Sequence, residues 1–478
     1  MKHFLELFHL KNLRWELQSI LSRFPVSIGL ILWACIIFLI LLHGSQSSSF
    51  MDDLLRINLS VIITFFLSLW VYIFTEWEHY SHFKRNLFQG FSLTFGLLFF
   101  LSFSPNISDV ENIMKFVISL FGILWFLFFA PYTKRLFKPT GLQNIYYSYF
   151  YSISVVFLFS SIFWLITLIL GYIWISATIA LFDLNYSFTD KLFGDWAIFS
   201  LSFAAPLFAL TQLPKKETFS KDIFQENVFF SFLIKFVALP FILVYFLILY
   251  AYSVKVLLHF GDWPKGEVAW LVIGFSTFGY IIYIFSYIFE NKIRVIELFR
   301  KYFPFAVIPQ TLMLFYAIYL RIAQYDLTSN RYFVVVFGIW LLLISLHMIF
   351  SRHRFLAMIP AILTLFTIII SIWPWSVFSL TESRQLARLE RNLETAGILT
   401  NGTITPLSSY DAIDPELSGD IYSGISYVCG FSDCRTIKEL FPLQYQKALA
   451  DYRKEQETYN YDTEYRQKYP EPNEWQIA

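Results

Sequence analysis

An all-α bundle of about eleven transmembrane helices with a small C-terminal extramembrane domain is the fold that this sequence predicts. Three observations predict it. Hydrophobic residues make up 57% of 478 positions, 56 of them Phe, and the mean hydropathy is +0.56, more apolar side chain than an ordinary soluble domain buries. The charged residues, 15% of the chain, fall in short clusters between apolar runs, as loops between membrane spans do. The apolar runs themselves are each near the roughly 20 residues that a hydrocarbon core requires.

The chain divides into a leader (1–23), a bundle (24–375) and a tail (376–478). In the leader Leu10, Leu13, Leu17, Ile20 or Leu21, and Phe24 recur at helical spacing, with Lys11, Arg14 and Arg23 on other faces. That pattern predicts a helix lying in the membrane surface, the alternative being a frayed leader without lipid contact. No small-residue cleavage site precedes Ser45, so the first apolar run is expected to stay as an anchor.

Spans are predicted at 24–43, 57–77, 87–104, 114–131, 147–175, 192–212, 228–256, 267–290, 305–324, 331–351 and 354–375. The fifth is ambiguous, because apolar character continues to Phe182 as a tilted extension or an interfacial turn. Lys and Arg alternate between the loops. One set, from Lys2 to Arg354, holds 18, and the other, from Arg56 to Arg331, holds 7. Positive residues stay on the cytoplasmic side, so the N-terminus is expected inside and the C-terminus outside.

The tail carries 10 Lys or Arg against 16 Asp or Glu. A helix is predicted over Glu382–Leu393 and a turn at Asn401-Gly402, and Ser418 would cap a helix whose buried stripe is Ile421, Ile425, Val428 and Cys429. Thr436 to Glu439 has capping-box spacing, cut short by Pro442. Tyr452 to Tyr469 alternates charge with Tyr, as an exposed helix or a partly disordered segment does. If the tail is outside, Cys429 and Cys434 sit in an oxidising compartment and are expected to form a disulfide; two free thiols would suit a cytoplasmic tail better.

Polar candidates concentrate in spans seven to nine. Tyr245, Tyr252 and Lys255 share one face of the seventh, Ser276, Tyr280, Tyr283 and Tyr287 one face of the eighth, and Gln310, Arg321 and Gln324 one face of the ninth. These predict a polar cleft opening to the outer leaflet, or tyrosines and serines that only tie helices together. Arg321 either faces the interior, toward Gln324 and the outer end of span seven, or snorkels to the interface. An interior guanidinium should find a tyrosine, a backbone carbonyl or Asp326. The loop with Asp262, Trp263 and Lys265 is a lid over that cleft or a tight connector with an aromatic anchor.

Other features point to packing and surface chemistry. Lys235 is expected to snorkel. Asn291 to Phe303 is amphipathic and should lie on the cytoplasmic surface against anionic lipid. Glu76, Glu78, His79 and His82 hold half of a metal-site spacing but no second half is visible, so no metal is expected. The predicted spans carry no Asp or Glu in their middle thirds, which leaves a carboxylate proton relay or sodium site without residues. No phosphate-binding loop, nucleophile elbow or internal repeat stands out, and no cofactor or nucleic-acid partner is expected.

The phrases Leu249-Tyr250-Ala251-Tyr252-Ser253-Val254-Lys255, Gly261-Asp262-Trp263-Pro264-Lys265-Gly266, Ala317 to Tyr325 with Asn330-Arg331-Tyr332, and Trp373-Pro374-Trp375-Ser376 resemble the bacterial domain-of-unknown-function family 4153. Members are described only as inner-membrane proteins. The resemblance implies that location and a polytopic architecture, and it supplies no catalytic residues. The Cys429/Cys434 pair is no part of it and rests on this sequence alone.

Three function classes follow. The first is binding or translocating an anionic lipid or envelope precursor, from the cationic Lys255 and Arg321 beside a Tyr-rich face. The second is an accessory or sensing role, with the acidic tail meeting an envelope protein. The third is an integral-membrane transferase, whose need for paired acids is met only by Asp183, Asp190 and Asp195.

Overall fold

The computed structural model describes residues 18–44, 49–104, 110–137, 141–182, 186–215, 228–258, 267–372, 374–400, 403–404, 413–432 and 437–438. The bundle is built from α1 (Pro25–His43), α2 (Ser49–Trp77), α3 (His82–Leu101), α4 (Val110–Leu127), α5 (Gln143–Phe182), α6 (Tyr186–Ile198), α7 (Ala205–Gln212), α8 (Val228–Phe232), α9 (Leu239–Leu258), α10 (Glu267–Phe285), α11 (Arg294–Tyr325), α12 (Ser329–Phe350) and α13 (Met358–Ile369). The tail adds α14 (Val377–Thr395), a hairpin of β1 (Leu399–Thr400) and β2 (Thr403–Ile404), and α15 (Pro415–Ser432).

Every predicted span overlaps a helix, and among the described residues eight helices, not eleven, are long and apolar enough to cross a membrane. The other three depart for visible reasons. His82, Lys84, Arg85, Asn86 and Gln89 make the first turns of α3 polar, while Ala269–Phe285 and Met358–Ile369 are apolar but short. The 12 residues of α13 rise only about 18 Å. In α5 the ambiguity resolves as one continuous helix of 40 residues.

The same device interrupts two spans. A π-helical segment, Phe199–Ala204, joins α6 to α7, and another, Leu233–Ala238, joins α8 to α9. In each, the residue after the segment bonds five positions back, Ala205 N–H to the Ser200 carbonyl and Leu239 N–H to the Ile234 carbonyl. Pro206 and Pro240 follow directly, and neither has an N–H to continue the ladder.

Tyrosine is the cross-tie of this bundle. Tyr149 Oη donates to the Leu127 carbonyl at 2.7 Å, Tyr147 to Phe285 at 3.1 Å and Tyr250 to Ala306 at 2.7 Å. Each ring fills the core while its hydroxyl finds an acceptor on the next helix, the arrangement that hydrocarbon surroundings favour. Close approach occurs at Gly279, where a Cβ would stand 2.1 Å from the Phe303 ring.

Helix directions alternate, so Arg23, Glu76, Lys134 and Arg354 share one end of the bundle. There Arg23 donates to Glu76 at 3.0 Å and to the carbonyls of Leu213 and Pro214, both at 3.0 Å, tying α1, α2 and the end of α7. Residues 1–17 of the leader lie outside the described residues. Its last part, 18–23, is helical, and Ile20 and Phe24 enter the main core while Leu21 is exposed.

The surface helix expected over Asn291–Phe303 is corrected by the structure. From Arg294 onward this stretch is the first part of α11, 32 residues long with Pro304 and Pro309 inside it. Ile296, Phe299 and Phe303 pack into the core, and Arg300 is buried with them. Its apolar face is covered by protein instead of lipid.

In the tail, Val377, Thr381, Gln385, Leu389 and Leu393 recur every fourth residue and are buried. Leu389 and Leu393 meet Ile421, Val428 and Cys429 of α15, with Ile425 packed at the edge. The helix cap expected at Ser418 is displaced, because α15 begins at Pro415 and Ser418 N–H already bonds the Asp414 carbonyl. The β1–β2 hairpin brackets Asn401-Gly402, which lie outside the described residues, as do Thr436, Glu439 and Tyr452–Tyr469. Cys429 is disulfide-bonded and Cys35 is a free, buried thiol; Cys434 lies outside the described residues.

Candidate functional site: an arginine-rimmed groove

At the tail-bearing end, α11 and α12 are joined by a four-group knot around Asp326. The chain leaves α11 with Asp326 at φ +56° and ψ −173°, a positive-φ conformation that residues with a side chain rarely adopt. Its carboxylate accepts from Leu327 N–H at 2.8 Å and from two tail guanidiniums, Arg384 and Arg391, at 3.0 Å each. Burial pushes this carboxyl up, but the Leu327 N–H and the Arg391 and Arg384 groups outweigh it and hold it below the ordinary aspartate range.

Arg331, two residues into α12, reaches back and donates to the carbonyls of Tyr325 and Asp326 at 3.1 and 2.6 Å. That satisfies backbone acceptors at the negative end of the α11 dipole. Arg331 and Arg388 both stack on the Tyr325 ring, at 5.3 and 5.7 Å from its centroid. Gln385 donates to the Tyr325 and Leu327 carbonyls, and Ser329 is bound through N–H and hydroxyl to Tyr427 Oη at 2.9 and 2.7 Å. The tail is acidic in sum, yet the face it docks is basic.

Beside this knot runs a groove of about 740 Å³ between α4, α10, α11, α12 and α13. Its walls are apolar, including Trp270, Ile318, Phe337 and Phe366, and its polar rim is Arg321, Asn330 and Arg331. Arg321 makes no hydrogen bond or ion pair among the described residues. A second cavity, about 610 Å³, lies between α1, α5 and α6, with His43 and Asp195 paired at 2.8 Å on its edge.

The structure divides the residues that the sequence grouped as a cleft. Tyr245 Oη donates to the Leu271 carbonyl at 2.8 Å, and Gln310 accepts from Ser253 at 3.0 Å. Tyr280 shares a 2.7 Å hydrogen bond with Ser345, and Tyr283 is buried beneath Arg300. Tyr252 is half-buried, whereas Lys255 and Gln324 are exposed. Of the cleft candidates Arg321 alone lines the groove, beside residues of α10 and α12. Of the partners expected for it, a tyrosine, a backbone carbonyl or Asp326, the Asp326 carboxylate is held by the tail. Asp262, Trp263 and Lys265 lie outside the described residues.

Two arginine features to which the sequence reading gave no role in a site carry much of the electrostatics. Arg300, 3% exposed, donates to Glu290 at 2.9 Å and to the Tyr283 carbonyl, and its guanidinium lies 4.1 Å from the Tyr283 ring centroid. The other is the Arg384/Arg388/Arg391 face of α14, whose i, i+4, i+7 spacing is a visible signal once that helix is drawn. Lys235 is half-buried with its ammonium 5.3 Å from the Phe289 ring centroid. Glu76 is taken by Arg23, and Glu78 faces Lys134 and Arg135 at 3.6 and 3.5 Å. Among the described residues no group of three metal-ligating side chains occurs.

Residues 28–414 match the model of a family described as a domain of unknown function (DUF4153). Uncharacterized protein PM1469 of Pasteurella multocida (strain Pm70) is 25% identical over 244 residues, 48% of this chain and 40% of that protein's length. No solved structure matches. With eight apolar helices long enough to cross a bilayer and a family match over most of its length, this chain is a multi-pass membrane protein and belongs to the DUF4153 family.

Proposed function

We propose that this protein binds, and in doing so presents or translocates, an anionic lipid or lipid-linked envelope precursor at the outer leaflet of the bacterial inner membrane. One observation carries the reading: an apolar groove of acyl-chain dimensions ends in two guanidiniums, Arg321 and Arg331, with no carboxylate on the rim among the described residues. Acyl chains suit the walls and an anionic headgroup suits the arginines. Mass spectrometry of lipids extracted from the purified protein is expected to find anionic phospholipid in excess of its share of the membrane. In an Arg321→Gln/Arg331→Gln double variant that excess should disappear. Lipid at bulk-membrane proportions in the native protein would end the reading.

The orientation belongs to the same proposal. The 18 to 7 division of Lys and Arg supports a cytoplasmic N-terminus and an extracytoplasmic tail. A reporter active only outside the cytoplasm is expected to work when fused after Ala478 and to stay silent when inserted within Lys215–Lys221. The opposite pattern would place the groove on the cytoplasmic leaflet.

A second reading, an accessory or sensing protein that meets an envelope partner through its tail, is favoured by the small core of its own that α14 and α15 form.

A further inference from the structure

We infer that the groove mouth selects lipid headgroups carrying two negative charges over those carrying one. The inference rests on the lipid reading above and adds the headgroup class. It follows from an account of the charges at the tail-bearing end. Five guanidiniums gather there: Arg321, Arg331, Arg384, Arg388 and Arg391. The acids that engage them are spent on the tail side. Asp326 holds Arg384 and Arg391 at 3.0 Å each, and Asp420 lies 2.8 Å from Arg388.

Among the described residues, what is left uncompensated is the pair on the groove. Arg331 has only the backbone carbonyls of Tyr325 and Asp326, and Arg321 has no hydrogen bond or ion pair among the described residues. Their charges repel one another, and Arg388 adds to the repulsion at Arg331. Guanidiniums at the edge of a hydrocarbon layer are costly until a counter-charge arrives. A headgroup with one charge offsets one arginine and leaves the other; a phosphomonoester, a diphosphate or a pair of linked phosphodiesters offsets both.

Asp326 is the acid best placed to neutralise Arg331, which already bonds its backbone carbonyl at 2.6 Å. Instead its carboxylate, 8% exposed, faces α14. Docking of the tail therefore keeps the groove mouth cationic.

The test uses the full-length protein in detergent at pH 8, where a phosphomonoester carries about two charges. It is offered equimolar dioleoyl phosphatidic acid, phosphatidylglycerol and phosphatidylcholine, and bound lipid is counted by native mass spectrometry. Phosphatidic acid is expected to exceed phosphatidylglycerol by about fivefold, the effect of one further charge pair near a membrane surface. Arg321→Gln and Arg331→Gln should each bring that ratio toward one, while Arg321→Lys, which keeps the charge, should preserve most of it. Equal retention of the two anionic lipids, both above phosphatidylcholine, overturns the two-charge inference and leaves the lipid reading standing. Equal retention of all three overturns both.

Discussion

Arg300→Met is expected to destabilise the detergent-purified protein by about 3 kcal/mol, the scale for breaking a buried ion pair from one side. The side chain is 3% exposed, and methionine fills most of its volume while leaving the Tyr283 carbonyl and the Glu290 carboxylate without their donor. Glu290 is itself 30% exposed and returns partly to water, so the loss stays at the lower end of that range. Arg300→Lys should recover only part of it, because an ammonium cannot reach Glu290 and the Tyr283 carbonyl in one planar fork or stack equally on Tyr283 and Tyr287. The measurement is the fraction that stays monodisperse on size exclusion after heating. A methionine variant with the native midpoint would show that this buried cation does not hold α10 to α11.

Asp326→Ala is expected to cost about 2 kcal/mol of tail docking, the loss of hydrogen bonds to charged partners. Arg384 and Arg391 are more than half exposed and can rehydrate, which keeps the loss of their contacts toward the lower end of the range for hydrogen bonds to charged groups. Faster cleavage within 396–413 by a protease that leaves the bundle intact reports the undocking. The same contact titrates. Because the folded carboxyl lies below its unfolded value, its stabilisation is fully present above the ordinary aspartate range, about pH 4, and is lost as pH falls through the folded value. Cleavage in the native protein should therefore accelerate below about pH 4, and in Asp326→Ala it should already be fast at neutral pH. A native tail whose resistance to the protease does not fall anywhere below about pH 4 would remove Asp326 as the docking group.

The parts of the fold that the sequence determined are those that depend on summed or local properties. Membrane class and the places of the eight long apolar helices follow from apolar runs, because transfer into hydrocarbon adds residue by residue. The helix over Glu382–Leu393 and the stripe Ile421, Val428 and Cys429 were readable because helical periodicity is a local signal. Polar faces were readable too: Tyr280 and Gln310 do turn inward.

What covers a face, and which partner a charge finds, only the tertiary structure decided. Asn291–Phe303 has the same amphipathic pattern whether lipid or protein lies against it, and here Tyr283 and Phe289 take the place expected of lipid. Asp326 stands five residues from Arg321 in sequence, yet its carboxylate goes to Arg384 and Arg391, 58 and 65 residues away. Burial within the docked tail strengthens those contacts, and no property of the residues around Asp326 specifies them. The groove is decided in the same way. Five helices form its walls, and the sequence names each of them without saying that Arg321 and Arg331 meet at its mouth, because that meeting depends on how α10, α11 and α12 cross.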